Sequence, residues 1–237
     1  MLEQAGALLD RSWNMMEVYA MNLAQQLKDP AEPFLRFFSP ERQKQILRFW
    51  FAEDRNRTLW TELLVRSVIA KKTSRSMEEI SIEREENGKP HVTDSRLQIS
   101  LSHSKHWAVC SVGNIPSGAA VEEASTDALA IAEHFFTAKE FQALRKLDEK
   151  SRSKAFLRIW TIKESFVKLT GQSIDECFRT VESAEILSGT GSVTGRNFLL
   201  GNAVIGLCTQ HGRLLPDTVS IIPLEACRQQ AYEQRTS

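Results

Sequence analysis

The sequence predicts an α+β protein built from two related halves. Segments with the 3.6-residue spacing of amphipathic helices and segments that alternate apolar and polar residues as strands do follow one another unevenly along the chain. In addition, two short segments of the first hundred residues recur in the same order about a hundred residues later. These observations favour helices packed on a small sheet, once in each half.

In the first half, a short apolar stretch around Ala20 is followed by a long helical region. Ser39-Pro40 has the residue types of a helix N-cap followed by proline at the first helical position. Apolar and charged side chains then alternate at helical spacing as far as Lys72. We expect this helical region to be interrupted at residues 52–55.

Strand patterns follow the helical region. Asn87-Gly88 is a strong hairpin-turn signal, with short strand-like segments at 81–83 and 91–92. Apolar residues then alternate strictly with polar ones over 97–101, and 107–112 has the composition of a partner strand. The first half is therefore expected to contain a mostly antiparallel sheet.

The second half begins with a predicted strand at 119–122 and continues with helices. Thr137-Ala138-Lys139-Glu140 is a capping-box motif, which marks a helix N-terminus. A longer helix is predicted for 151–170, with Gly171 as its C-terminal cap. From there to Pro223 we expect strands separated by glycine-rich turns, followed by a polar C-terminus that frays.

The internal repeat supports the division into halves. Arg36-Phe37-Phe38-Ser39 is similar to His134-Phe135-Phe136-Thr137, and Glu62-Leu63-Leu64-Val65-Arg66 is similar to Glu164-Ser165-Phe166-Val167-Lys168. Two matches at nearly the same offset predict a duplicated unit of about a hundred residues. Such a fold tends to hold its ligand in a cleft between the halves.

Domain boundaries follow from the turn-rich segment at 114–118. We expect an N-terminal extension over 1–15, an N-terminal half over 16–117, a C-terminal half over 118–228 and a C-terminal tail over 229–237.

Composition argues against several classes of protein. The 237 residues contain 30 Lys+Arg and 30 Asp+Glu, which gives a formal net charge of zero. Proteins that coat nucleic acid usually carry a basic excess, so no nucleic-acid partner is expected. No uncharged run is long enough for a membrane span, and no signal peptide is recognisable. We therefore expect a cytoplasmic protein with no membrane partner.

The cysteines do not suggest a metal or redox site. No two of them form a CxxC pair, which argues against a zinc knuckle or a redox dithiol. We expect all four to be reduced and buried as small apolar side chains: Cys110, Cys177, Cys208 and Cys227.

Four segments carry residue types that are associated with chemistry. They are Gly88-Lys89-Pro90, Ser100-Leu101-Ser102-His103-Ser104, Gly118-Ala119-Ala120-Val121-Glu122-Glu123 and the helical segment from Trp160 to Gly171. Each alone has an ordinary explanation, namely a turn, a structural histidine, exposed acids and a solvated helix pair. Adjacent strand residues also point to opposite faces, which argues against a catalytic Ser–His pair in the second segment.

In their order and spacing, the four segments together resemble the surfactin-type 4'-phosphopantetheinyl transferase family. The marks of that family are a GKP turn, an SHS strand end, a GxDxE strand and a WxxKExxxK helix. The resemblance extends upstream through Ser39-Pro40-Glu41-Arg42 and covers about residues 16–224. It implies an α+β fold of two pseudo-two-fold-related halves, each with helices packed on a small, mostly antiparallel sheet, and an active-site cleft between them.

The resemblance implies transfer of the 4'-phosphopantetheine arm of coenzyme A to a serine of an apo acyl or peptidyl carrier protein, with release of 3',5'-ADP. Cations suit a substrate that carries a pyrophosphate and a 3'-phosphate, because arginine contacts phosphate in a bidentate way and lysine acts as a point charge. The resemblance assigns the binding of coenzyme A to basic and polar side chains: Arg42, Arg57, Lys89, Ser102, His103, Lys163 and Lys168.

The acidic residues are implied to hold Mg²⁺, which prefers oxygen ligands, few carboxylates and substrate phosphates. Glu122 and Glu164 match two of the three metal-binding carboxylates of the family. Glu164 is also the candidate base for the incoming serine, either directly or through a metal-bound water. Lys168 is implied to assist catalysis by stabilising charge on the leaving group.

The sequence departs from the family at one position. Aligning Gly118 and Glu122 with the ends of GxDxE puts Ala120 where the metal-binding aspartate stands. Glu123 is a poor replacement, because its side chain points to the other face of the strand. An engineered substitution, a natural degenerate member and a site that replaces the carboxylate with water all remain open. We expect weakened metal binding and impaired transfer.

Two function classes follow from these observations. The first is the magnesium-dependent transferase, expected to be a monomer because the two halves of one chain would form the cleft. The alternative is a non-catalytic module that binds coenzyme A or a carrier protein, which Ala120 alone favours.

Overall fold

The computed structural model describes residues 16–25, 32–86, 88–93, 95–123, 127–210 and 213–233. These residues form two compact units: the first comprises those up to Ile115 together with those from Thr218 onward, and the second comprises Pro116–Asp217. Both units combine helices with a small sheet, so the predicted α+β class is confirmed. The expected N-terminal extension, residues 1–15, lies outside the described residues.

The elements of both units are numbered in chain order. The strands are β1 (Glu17–Asn22), β2 (Ile82–Arg84), β3 (Pro90–Val92), β4 (Gln98–His103), β5 (Trp107–Gly113), β6 (Ser117–Glu123), β7 (Val193–Leu200), β8 (Ala203–Gln210) and β9 (Ser220–Ile221). The α-helices are α1 (Pro40–Leu47), α2 (Ala52–Thr73), α3 (Ala128–Phe135), α4 (Ala138–Arg145), α5 (Glu149–Thr170), α6 (Ile174–Thr180), α7 (Ser183–Ser188) and α8 (Leu224–Glu233). A 3-10 helix covers Glu32–Phe37.

The main sheet of the first unit has the strand order β4-β5-β1-β9. β5 pairs antiparallel with both β4 and β1, whereas β9 runs parallel to β1. The long helix α2 packs on β4 and β5, and Leu59, Leu63 and Val65 on this helix are fully buried. The end of β4, which carries Ser102 and His103, is therefore held by a packed core.

A small hairpin of β2 and β3 lies beside this core, with Ile82 opposite Val92. Gly88 in its turn has a φ of +84°, a conformation that glycine adopts without steric cost. The strands at 81–83 and 91–92 are thus confirmed, whereas Asn87 of the predicted turn lies outside the described residues. The turn presents Gly88-Lys89-Pro90 at the start of β3.

The helix that was predicted to break at 52–55 breaks four residues earlier. Ser39 caps α1 as predicted, with its hydroxyl accepting a hydrogen bond from the Arg42 backbone. The chain is non-helical over 48–51, and α2 starts directly with Ala52. Glu53 and Asp54 fall in the first turn of α2, where the helix dipole favours acidic side chains.

The second unit is a three-stranded antiparallel sheet with the order β6-β8-β7, covered by helices. The predicted capping box is present, because Thr137 and Glu140 exchange side-chain and backbone hydrogen bonds at the start of α4. Gly171 ends α5 in the left-handed conformation, with a φ of +74°. The predicted helix at 151–170 is confirmed and begins two residues earlier.

The expectation of strands alone between Gly171 and Pro223 is wrong for the first part of that segment. The two short helices α6 and α7 occupy it, and the Ser173 side chain caps α6 by accepting a hydrogen bond from the Glu176 backbone. Ser173 followed three residues later by Glu176 is an N-terminal helix signal that the glycine-based interpretation overlooked.

Residues 218–228, which we assigned to the C-terminal half, belong to the first unit. The Ile222 amide donates a 2.9 Å hydrogen bond to the Ala20 carbonyl, which extends the pairing of β9 with β1. The helix α8 then packs on α2, where Ser67 and Gln230 form a side-chain hydrogen bond of 2.6 Å. The tail predicted for 229–237 is helical as far as Glu233.

The internal repeat corresponds to similar elements in the two units. The first matching pair ends at the caps Ser39 and Thr137, each of which starts an eight-residue helix. The second pair lies inside α2 and α5, which are both 22 residues long.

Two further expectations concern cysteines and membrane segments. All four cysteines are free thiols and buried. Among the described residues, no helix has the length and apolar character that crossing a bilayer would require.

Candidate functional site

The acidic motif of the second unit lies where helix and sheet backbones come unusually close. A Cβ atom on Gly118 of β6 would lie 1.9 Å from the Ser165 carbonyl oxygen of α5, and one on Gly206 of β8 would lie 2.3 Å from the Thr161 carbonyl oxygen. Only glycine allows this contact. The close packing fixes the position of α5 on the strand that carries Glu122.

Gly118→Ala is therefore expected to destabilise the protein by about 1–3 kcal/mol, because a methyl group must displace backbone atoms. The matched control is Gly191→Ala, since no atom lies within 4 Å of a Cβ placed there. Urea denaturation of both variants measures the difference. Equal free energies of unfolding would contradict the close packing of α5 on β6.

The alternation of a strand puts Gly118, Ala120 and Glu122 on the same face of β6, the face on which α5 packs. On α5, Glu164 and Lys168 lie one turn apart and form a 3.0 Å ion pair. The Lys168 ammonium also donates a 3.1 Å hydrogen bond to the Ala119 carbonyl, which ties this pair to the strand. The structure thus brings Glu122, Glu164 and Lys168 together.

The two carboxylates share a half-buried environment. Burial, and secondarily the charge of Glu164, raise the pKa of Glu122 from its ordinary value of 4.5 to about 7. One oxygen of Glu164 pairs with Lys168, while the other, Oε2, is buried and accepts no hydrogen bond from any described residue. A buried carboxylate oxygen without a donor indicates a position that a ligand can use.

The raised pKa predicts a pH dependence of the metal-free protein. Between about pH 4.5 and pH 7 the folded state holds the Glu122 proton more tightly than the unfolded state does, so this contribution to stability is complete below 4.5 and is lost as the pH rises through 7. We expect Glu122→Gln to reduce this fall in the free energy of unfolding. Denaturation in EDTA at pH 5 and pH 8 measures it, with exposed Glu225→Gln as control. An unchanged pH slope in Glu122→Gln would contradict the prediction.

The donor set fits a Mg²⁺ ion. Two carboxylates, one with an unpartnered buried oxygen, match the preference of Mg²⁺ for few protein ligands supplemented by water and substrate phosphates. Ala120 contributes no ligand and is fully buried. Within the described part of the chain, no three His, Cys, Asp or Glu side chains come together as a metal-binding group.

Lys163, which we expected to bind coenzyme A, lies in the core of the second unit. Its side chain is 0% exposed, forms a 2.5 Å ion pair with Glu140 and donates a 2.7 Å hydrogen bond to the Phe178 carbonyl. The ammonium also lies 5.4 Å from the ring centroid of Phe136. A lysine satisfied in this way cannot reach a phosphate, so we withdraw Lys163 from the coenzyme A contacts.

In the first unit, the structure connects Arg57 with the strand end that carries His103. Arg57 on α2 pairs with Asp54 and donates a 3.5 Å hydrogen bond to the carbonyl of Lys105, in the turn between β4 and β5. His103 is exposed at the end of β4, whereas Ser102 is 8% exposed. Arg57 and His103 therefore border the same turn.

Arg42 and the Gly88-Lys89-Pro90 turn belong to a second cluster of the first unit. Arg42 donates a 2.9 Å hydrogen bond to the buried carboxylate of Glu62, and Arg84 at the end of β2 donates one of 2.6 Å to the same oxygen. Arg84 also donates a 3.0 Å hydrogen bond to the Gly88 carbonyl. Lys89 is half-buried in the turn.

Sequence reasoning missed Glu62 and Arg84. Glu62 was noted only as part of the internal repeat, and an acidic residue inside an apolar helix segment is the signal that identifies it as buried and paired. Arg84 carried no comparable signal, because its role depends on the fold of the hairpin.

Comparisons with known proteins identify the family to which this chain belongs. A profile of the 4'-phosphopantetheinyl transferase superfamily matches residues 117–217, and a profile described as 4'-phosphopantetheinyl transferase, N-terminal, matches residues 28–114. The chain is 33% identical over 216 residues to 4'-phosphopantetheinyl transferase psf-1 of Bacillus pumilus, which covers 88% of this chain and 86% of the relative. The chain belongs to the surfactin-type 4'-phosphopantetheinyl transferase family.

Other relatives carry the same enzyme name. The chain is 32% identical over 161 residues to 4'-phosphopantetheinyl transferase Sfp of Bacillus subtilis, covering 67% of this chain and 72% of the relative. It is 35% identical over 136 residues to 4'-phosphopantetheinyl transferase gsp of Aneurinibacillus migulanus, with 57% of each covered. Membership of this transferase family supports the enzyme class that the motifs predicted.

Proposed function

We propose that the protein transfers the 4'-phosphopantetheine arm of coenzyme A to a serine of an apo acyl or peptidyl carrier protein, in a magnesium-dependent reaction that releases 3',5'-ADP. The observation that carries this proposal is the half-buried pair Glu122 and Glu164 beside Lys168, with one carboxylate oxygen left without a donor. This arrangement lies within the segment that matches the transferase superfamily.

Glu164 is the proposed base. The serine oxygen forms a bond to the phosphorus that bears the pantetheine arm, the bond from that phosphorus to the bridging oxygen breaks, and 3',5'-ADP leaves with the electron pair. Glu164 accepts the hydroxyl proton at a carboxylate oxygen. Lys168 holds the other oxygen of Glu164 and supplies positive charge near the leaving group.

Mg²⁺ held by Glu122 and Glu164 would neutralise charge on the pyrophosphate during the displacement. The proposed contacts of coenzyme A in the first unit remain Arg42, Arg57, Lys89, Ser102 and His103. Arg57 fits this role because its guanidinium is already oriented by Asp54 and the Lys105 carbonyl. A pre-oriented cation loses less conformational entropy when it binds a phosphate.

A second candidate is a non-catalytic module that binds coenzyme A or a carrier protein. Ala120 favours it, because the strand face that carries Glu122 presents a methyl group in place of a third carboxylate. We propose that the missing ligand impairs the transferase rather than abolishing its function, since the other motif residues are present.

One experiment separates the two candidates. The purified protein is incubated with coenzyme A, Mg²⁺ and a panel of apo acyl and peptidyl carrier proteins, and intact masses are measured. An increase by one phosphopantetheine arm, absent from carriers whose acceptor serine is replaced by alanine, supports transfer. Calorimetric binding of coenzyme A without any mass increase supports the binding module. We also propose that the protein is a monomer, which sedimentation of the purified protein alone tests.

A further inference from the structure

A buried acidic residue in the first unit organises several arginines. The side chain of Glu62 is 3% exposed, and its Oε1 atom accepts hydrogen bonds from Arg42 and Arg84. Its charge also acts on Arg66, one helical turn away, which burial alone would make less basic. The Glu62 carboxylate therefore interacts with three guanidinium groups, two through hydrogen bonds and one through its charge. The three arginines and Glu62 together carry a net charge of plus two.

Two of these arginines reach partly exposed positions. The Arg42 and Arg84 side chains are 18% and 33% exposed, whereas Arg66 is buried and donates to the carbonyls of Met77 and Ile80. Guanidinium groups that share a buried carboxylate lose much of their rotational freedom, so they present positive charge in one geometry. The positive charge that can face solvent is thus held on the Arg42 and Arg84 guanidinium groups, next to the Glu62 carboxylate.

Arg84 also acts on the backbone of the hairpin turn. Its Nη2 atom is bound to Glu62, and its Nη1 atom donates a 3.0 Å hydrogen bond to the Gly88 carbonyl. That carbonyl belongs to the peptide group linking Gly88 to Lys89. The planar guanidinium of Arg84 therefore links Glu62 of helix α2 with the peptide group that precedes Lys89.

We infer that Arg84, which is bound to Glu62, is a positioning residue for coenzyme A binding. It fixes the turn that presents Lys89, and it helps to hold the Glu62 carboxylate in the position where Arg42 binds it. This inference rests on the proposed function. It concerns the affinity for coenzyme A rather than the chemical step, because neither Arg84 nor Glu62 is assigned a contact with the reacting phosphorus.

The first test compares Arg84→Gln and Arg84→Lys with the unmodified protein. Arg84→Gln removes the fork, so coenzyme A is expected to bind about tenfold more weakly, with KM raised and kcat little changed. Lysine keeps the charge but cannot donate to Glu62 and Gly88 as a rigid fork, so Arg84→Lys should restore only part of the affinity. Calorimetry with coenzyme A and with 3',5'-ADP measures affinity without requiring turnover.

The matched control is Arg36→Gln. Arg36 is also partly exposed in the first unit and is ion-paired with Glu78, yet it lies outside the Glu62 cluster. Coenzyme A affinity is expected to stay within about twofold of that of the unmodified protein. A general loss of charge or stability would affect both variants alike, whereas loss of positioning affects Arg84→Gln alone.

Glu62→Gln provides a second test with an opposite electrostatic expectation. The substitution makes the cluster more positive, so binding of the anionic coenzyme A would strengthen if only net charge mattered. If Glu62 positions the arginines, binding weakens instead. Circular dichroism and thermal unfolding check that Glu62→Gln is folded before coenzyme A is titrated. If this variant does not fold, the inference is tested by Arg84→Gln alone.

The outcomes distinguish this inference from the proposed function. Unchanged coenzyme A affinity in Arg84→Gln overturns the positioning role while transfer by the unmodified protein stands. Absence of both coenzyme A binding and transfer in the unmodified protein overturns the proposed function itself. A fall in kcat at saturating coenzyme A, with KM unchanged, also contradicts the inference, because it would place Arg84 in the chemical step.

Discussion

Replacing Ala120 with aspartate is expected to raise the rate of carrier-protein modification by about one to two orders of magnitude and to lower the Mg²⁺ concentration needed for half-maximal rate. Ala120 lies on the same face of β6 as Glu122, opposite Gly206 in the register of β6 and β8. An aspartate there would add a third carboxylate to the pair Glu122 and Glu164. Three carboxylates hold a divalent cation more tightly than two because each adds charge and an oxygen ligand.

The same substitution should have the opposite effect on the metal-free protein. Position 120 is fully buried, and a further negative charge near two half-buried carboxylates is unfavourable. Ala120→Asp is therefore expected to unfold at a lower temperature than the unmodified protein in EDTA, and to recover part of this loss when Mg²⁺ is added. Thermal unfolding at increasing Mg²⁺ measures both effects without depending on turnover.

The control for size is Ala120→Asn, which has nearly the volume of aspartate but no charge. If the gain in rate comes from the carboxylate, the asparagine variant stays close to the unmodified protein. Equal rates and equal magnesium dependence for Ala120→Asp and the unmodified protein would show that Ala120 does not limit the reaction.

The features of the fold that can be predicted from the sequence are those set by residues close together in the chain. Ser39 and the Thr137–Glu140 capping box determine helix starts through hydrogen bonds three residues away, and Gly171 ends a helix by its own conformation. The unit boundary near the C-terminus was predicted incorrectly, because β9 joins the first unit by pairing with β1, about two hundred residues earlier in the chain.

The same difference between local and long-range contacts explains which residues of the candidate site were predicted correctly. Glu164 and Lys168 are four residues apart on α5, so they share one helix face and pair as expected. Lys163 and Lys168 are five residues apart, which rotates their side chains by about 140° relative to each other. The family motif contains both lysines, but helix geometry directs only one of them to the strand face of Glu122. The ion pair of the other lysine, Lys163, with Glu140 depends on tertiary packing.

Removal of Lys163 is expected to destabilise the second unit strongly. Lys163→Met leaves the Glu140 carboxylate buried without its cation and the Phe178 carbonyl without its donor, which costs about 3–5 kcal/mol in such sites. Denaturation with urea measures the loss. Lys150→Met is the matched control, because Lys150 is an exposed lysine on the same helix and its replacement should change stability by less than about 0.5 kcal/mol.

The double variant Lys163→Met/Glu140→Gln tests the cause of that loss. Glutamine removes the uncompensated charge, and its single side-chain oxygen can still accept one of the two backbone hydrogen bonds that Glu140 accepts, from the Ser183 amide at 2.8 Å or from the Thr137 amide at 3.2 Å. The double variant should therefore be more stable than Lys163→Met alone. If it is folded and binds coenzyme A as tightly as the unmodified protein, Lys163 acts through packing. Weaker binding of coenzyme A by a fully folded double variant would show that Lys163 does contribute to binding, which would contradict its purely structural role in the core.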